Sequence, residues 1–63
     1  MNFDQKELFT AREACAVLRI SPVTLWRERR AGRISFRRVA SRIVFTGRDL
    51  EEYLERNKRE AFS

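Results

Sequence analysis

Residues 19–48 of this 63-residue chain hold nine arginines, among them Arg27, Arg29, Arg30, Arg33, Arg37, Arg38 and Arg42, against one acid, Glu28. A guanidinium is a fixed charge with a planar fork of donors that matches phosphates and guanine edges. Polyanion capture is therefore the chemistry this cluster can do. Catalysis lacks its usual means, since the chain has no His, one Cys and no Gly-rich phosphate loop. A protein-supplied zinc site is likewise excluded. No cofactor and no enzymatic activity are expected.

The distribution of charge is more telling than its net value of +5. The central block carries +8. Residues 1–18 carry −1 and residues 49–63 carry −2, so the positive excess belongs wholly to the middle. A basic block between mildly acidic ends is a localised field that selects a polyanionic partner. A merely solvated basic surface would mix lysine with acids, whereas arginine outnumbers lysine here by twelve to two.

Elements must position those side chains. The length suits one small domain that buries about 60% of its unfolded surface, and the 43% apolar content is ordinary for a globular protein. No apolar run approaches a membrane span of about 18 residues, and MNFDQKELF lacks the layout of a secretion signal. The lone Cys15 forms no internal disulfide and suits a reducing cytoplasm.

Thr10 and Glu13 have capping-box spacing, with Phe9 placed to staple against Ala14. Ala14, Val17 and Leu18 then give one apolar face to a helix over about residues 11–18. After Arg19-Ile20, a second helix is punctuated by Ser21 as cap, Pro22 at its first position and Gly32 at its end. On a wheel of roughly 100° per residue, Pro22, Leu25, Trp26 and Arg29 share the inward side. Val23, Thr24, Arg27, Glu28, Arg30 and Ala31 lie outward. Leu25 and Trp26 anchor this helix, and Trp26 is expected at the core edge. Arg29 is expected to pack its stem while its head reaches an acid such as Glu13 or Asp49. Glu28 is expected to temper its arginine neighbours rather than to accept from cytosine.

Past Gly32 the pattern becomes β-like. ISFRRV and RIVF predict a hairpin around Ala40-Ser41, with Ile34, Phe36 and Val39 facing Ile43 and Phe45. Arg37, Arg38 and Arg42 flank it. TGRDLEEYLERNKRE predicts a third helix, capped by Thr46 with Asp49. Leu50, Tyr53, Leu54 and Asn57 trace one face, and Glu52–Arg56 and Glu55–Arg59 form surface pairs.

Two helices joined tightly, the second small and cationic outward, form a helix-turn-helix, and the hairpin after them forms a wing. A second helix about 15 Å long fits the major groove of a duplex. Arg27 lies at the centre of its outward face and is expected at a DNA contact, as is Thr24. Arg30 and Arg38 are expected on phosphates. Arg42 is expected either in the minor groove or on a solvated flank of the wing.

Residues 8–57 resemble the small winged helix-turn-helix of the excisionase and MerR-like DNA-binding families. The motifs that carry the resemblance are LFTAREACAVL, ISPVTLWR, AGRI, RVASRIVF and RDLEEYL, in that order. The resemblance implies a mainly α fold with a β-hairpin wing and a C-terminal helix. It implies that Ser21, Val23, Thr24 and Arg27 face DNA, with Arg38 and Arg42 in the wing around Ala40-Ser41. The recognition-helix set is therefore Ser21, Val23, Thr24, Arg27 and Arg30, and the wing set is Arg37, Arg38, Ser41 and Arg42. Three positions depart from the family pattern: Arg19 stands in place of a glycine, Ala40-Ser41 in place of a glycine pair, and Arg29 in place of an aliphatic residue.

The expected function is sequence-specific binding of double-stranded DNA as an excisionase, a recombination directionality factor of a phage or mobile element. Such a factor binds beside an attachment site and assists excision by an integrase. If the chain is complete, it contains a DNA reader and almost nothing else, without the dimerisation helix and effector domain of a MerR-type regulator. The alternative is a small MerR-like transcriptional regulator with the same binding mode; a module whose basic face meets an acidic protein is a third reading. The implied partners are duplex DNA, a site-specific integrase and further copies of the chain bound cooperatively. No membrane and no small-molecule effector are expected. The expected location is the cytoplasm, on the nucleoid of a bacterial cell or infected host.

Overall fold

A computed structural model describes residues 8–59. Its elements run β1 (Leu8–Thr10), α1 (Ala11–Leu18), α2 (Pro22–Arg30), β2 (Arg37–Val39), β3 (Arg42–Thr46) and α3 (Gly47–Arg56). The three strands form one antiparallel sheet in the order β1-β3-β2. Three helices on this small sheet make a winged helix-turn-helix.

Local chemistry sets the helix boundaries. The Thr10 hydroxyl accepts from the Glu13 amide at 3.1 Å and the Glu13 carboxylate accepts from the Thr10 amide at 2.9 Å, a complete capping box at the start of α1. Thr46 and Asp49 repeat it for α3 at 3.1 and 3.0 Å. The Ser21 hydroxyl accepts from the Thr24 amide at the start of α2, and Pro22 takes its first position. At the other end Gly32 adopts φ +75°, so that its amide reaches the Arg29 carbonyl and the Arg33 amide reaches the Glu28 carbonyl. That pair of bonds is a Schellman motif, which needs a left-handed residue and stops the helix.

Two further left-handed residues are not glycine. Arg19 (φ 58°, ψ 44°) ends α1, where its amide and that of Ile20 both reach the Cys15 carbonyl. Ala40 (φ 57°) opens the β2–β3 turn. Ser41 does not share its positive φ, so the turn has the φ pattern of type II′ rather than I′. Each residue with a Cβ in this region costs about 1–2 kcal/mol.

The core gathers Ala14 and Cys15 of α1, Leu25 of α2, Ile34, Phe45 of β3 and Leu50 of α3. Phe9, Val17, Leu18, Ile20, Ile43 and Tyr53 pack around them. Phe9 lies opposite Phe45 in the β1–β3 ladder, so the two rings share the face that meets the helices.

The hairpin differs from the sequence expectation in three ways, the first being that Val39 pairs with Arg42 and lies on the opposite face from Ile43 and Phe45. The sheet has a third strand, β1, which is only three residues long and whose ladder lies entirely along β3. The first wing strand begins at Arg37 rather than Ile34. Ile34 is buried, but its neighbours are tied elsewhere: the Arg33 carbonyl accepts from Arg56 at 2.7 Å and the Ser35 hydroxyl donates to Glu52 at 3.0 Å. Those bonds hold residues 33–35 against α3, out of reach of the β3 ladder. They also replace the expected Glu52–Arg56 pair.

Candidate nucleic-acid interface

The wheel assignment of α2 holds for its inward side. Pro22, Leu25, Trp26 and Arg29 face Ala11, Arg12 and Cys15 of α1 across an open hollow of about 470 Å³. Of the four α2 side chains only Leu25 is buried. Ala11 and Cys15, one turn apart, are too small to fill the gap, so Trp26 remains 48% exposed at its edge. The Arg30 guanidinium stacks over the Trp26 ring at 5.0 Å, an interaction of about 0.5–1 kcal/mol at an exposed site.

Arg29 reaches neither acid expected of it. The Glu13 carboxylate is committed to its own cap, and Asp49, 3% exposed, is committed to the α3 cap and to Arg37. The Arg29 guanidinium lies over the Phe36 ring at 5.2 Å instead. A buried unpaired charge costs several kcal/mol, so the stem packs and the head turns to the nearest aromatic face. This contact ties the last turn of α2 to the entry of the wing.

Glu28 is drawn inward. Arg33 donates to its Oε2 at 2.7 and 2.9 Å, and the Tyr53 hydroxyl donates to its Oε1 at 3.0 Å. The bonds from Arg33 and then from Tyr53 hold the Glu28 carboxyl below its ordinary pKa. Burial first, and the bond to Glu28 second, push the Tyr53 phenol up. The one acid of the basic block is thus occupied within the protein, as expected of a residue that tempers its neighbours.

On the outward side of α2, Val23 is 58% exposed, Arg27 is exposed and Thr24 is half-buried. Arg27 has no carboxylate or aromatic partner among the described residues. Stacking leaves the in-plane donors of Arg30 open. Ser21 is exposed, but its oxygen accepts from the Thr24 amide and its proton goes to Thr24 Oγ1 at 2.9 Å. Capping therefore takes up most of what Ser21 can offer a ligand.

The wing divides its arginines. Arg37 opposes Val44 and Val39 opposes Arg42, so these four share one face of the hairpin, while Arg38 opposes Ile43 on the face that meets the helices. Arg37 is held to Asp49 at 3.4 and 3.5 Å. Arg38, Ser41 and Arg42 are exposed, and the two arginines have no partner among the described residues. Arg37 is the restrained member of the wing set, a distinction that sequence alone does not reveal because Asp49 lies twelve positions away.

The fold and this exposed basic helix define a winged helix-turn-helix protein, a class that reads duplex DNA. A family model described as a helix-turn-helix domain matches residues 8–58, and the chain belongs to that family. Membership points to DNA as the partner. Neither the curated proteins nor the solved structures contain a match to the chain. No helix among the described residues is long and apolar enough to cross a membrane.

Proposed function

We propose that this protein binds duplex DNA sequence-specifically as an excisionase, a recombination directionality factor of a phage or mobile element. It occupies DNA beside an attachment site and assists excision by a partner integrase, without catalysing a reaction itself. The observation that carries the binding mode is the exposed row on α2, with Arg27 at its centre and no internal partner to compete with a ligand. The excisionase role rests on the ordered motifs from LFTAREACAVL to RDLEEYL, and on a matched family that includes excisionase-like DNA-binding proteins.

In this mode α2 enters the major groove, and Arg38 and Arg42 approach the backbone or a neighbouring minor groove. Arg37 spends part of its charge on Asp49 and contributes less. About four to six cationic contacts give a log–log salt slope near −4 to −5. One small reader specifies few base pairs, so several copies on adjacent sites bind cooperatively in the cytoplasm of the host cell.

Footprinting on the DNA around its own gene, at two salt concentrations, tests the binding mode. An excision assay with the neighbouring integrase tests the role. Protection beside an attachment site, with excision dependent on the protein, supports the proposal. Protection confined to a promoter, with excision unchanged, replaces it with a MerR-like transcriptional regulator. No protection at either salt removes the DNA reading.

A further inference from the structure

The outward face of α2 has a one-sided hydrogen-bonding character. Its exposed side chains are the methyls of Val23 and the forked donors of Arg27 and Arg30, with the half-buried hydroxyl of Thr24 beside them. Thr24 Oγ1 already accepts from Ser21 at 2.9 Å, which leaves its proton free to donate outward. Glu28, the only carboxylate on this helix, is filled by Arg33 and Tyr53. The face therefore offers donors and methyl groups and no vacant carboxylate or amide acceptor.

Major-groove edges differ in what they ask for. Guanine presents two acceptors at N7 and O6, and thymine presents the O4 acceptor with the C5 methyl; adenine and cytosine each present an exocyclic amino donor that needs an acceptor. A donor-and-methyl face satisfies the first two and leaves the amino groups of the others unpaired, at a penalty. Isolated exposed apolar residues are common and mean little alone. Val23 differs because it lies one turn before the unpartnered Arg27 on a single row, with Arg30 a further turn on.

Resting on the DNA-binding reading above, we infer that α2 selects keto bases, with the Val23 methyls against a thymine C5 methyl and Arg27 forked onto a guanine. Side chains at i and i+4 stand about 5–6 Å apart, and bases on one strand rise about 3.4 Å. The thymine and the guanine therefore lie within two base steps of each other. Val23 is a specificity determinant, and the loss of its contact changes which sequence is chosen more than how strongly DNA is held.

Selection of duplexes from a randomised 30-base-pair pool, followed by replacement of each selected thymine with uracil, tests this. The expected motif has guanine and thymine within two steps on one strand. Replacing that thymine by uracil, which removes only the methyl, lowers the affinity of the parent about four-fold. It leaves the affinity of Val23→Ala unchanged. Four results overturn the inference: a motif in which neither strand carries guanine and thymine within two steps of each other, indifference of the parent to uracil, an equal uracil effect in Val23→Ala, or duplex binding with no motif. The last leaves DNA binding intact, whereas failure to retain any duplex overturns the proposed function itself.

Discussion

Arg33 closes onto Glu28 at 2.7 Å across the C-terminal end of α2. The same two residues are joined through the backbone, where the Arg33 amide reaches the Glu28 carbonyl at 2.9 Å. Tyr53 of α3 completes the clamp at 3.0 Å. The carboxylate thus fixes the end of α2 to the C-terminal helix, and it leaves the outward side of α2 to its cations.

Glu28→Gln should lower the melting temperature and raise DNA affinity at low salt, because it loosens the clamp and removes one negative charge near the basic surface. Thermal melts and gel-shift titrations of the same preparation measure both. A lower melting temperature together with weaker DNA binding would mean that the clamp matters to the interface mainly through helix geometry.

The clamp also sets a pH dependence with two limbs. The Glu28 carboxyl titrates lower in the folded chain than in the unfolded one, so its contribution is full above the usual carboxylate range near about 4.3 and is lost as pH falls through the folded value. The Tyr53 phenol titrates higher when folded, so its contribution is full below about 10 and is lost as pH rises through the folded value. Melting temperature against pH should fall at both ends. Glu28→Gln should shrink the acid limb and Tyr53→Phe the alkaline one.

Arg27→Ala should abolish preference for the specific site, with a loss of about 1–3 kcal/mol there and little on random DNA. Arg38→Ala should weaken all sequences alike and reduce the salt slope by about 1. Arg37→Ala should affect binding less than Arg38→Ala, because Asp49 already holds that guanidinium. Titrations on specific and scrambled duplexes at several salt concentrations separate the three. Equal affinity of Arg27→Ala and the parent for the specific site would require a different orientation of α2.

Arg19→Gly and Ala40→Gly should each stabilise the fold by about 0.5–1 kcal/mol. Glycine relieves the left-handed strain but loses part of that gain to unfolded-state entropy. Urea midpoints should rise at unchanged m-value. A fall in midpoint for Ala40→Gly would mean that the turn needs its Cβ.

Asp49→Ala should cost about 1–3 kcal/mol, because it removes one half of the α3 capping box and leaves the Thr46 amide without its acceptor. It also frees Arg37. The variant should melt earlier and yet bind random DNA more tightly at a temperature where it remains folded.

The features legible in the sequence are those fixed within four or five residues. Both capping boxes, the Ser21 cap, the Gly32 stop and the inward side of α2 follow from local spacing, and all are present. Features that depend on a distant partner were not legible. Leu8–Thr10 has no strand signature of its own and forms one only by pairing with residues 44–46. Ile34 and Phe36 read as strand, but residues 33 and 35 are captured by α3. Arg29 reads as the partner of an acid because nothing in the chain order shows that both nearby carboxylates are already engaged. The division of the wing arginines between two faces follows from the register, which an Ala-Ser turn does not announce.

The sequence contains one tryptophan and one cysteine, and both line the hollow between α1 and α2. The sole indole thus sits half-sheltered at the junction of the helix-turn-helix, where its emission is a built-in optical gauge. Steady-state fluorescence, without any attached dye, should move to longer wavelength when the two helices part and the ring loses its remaining shelter.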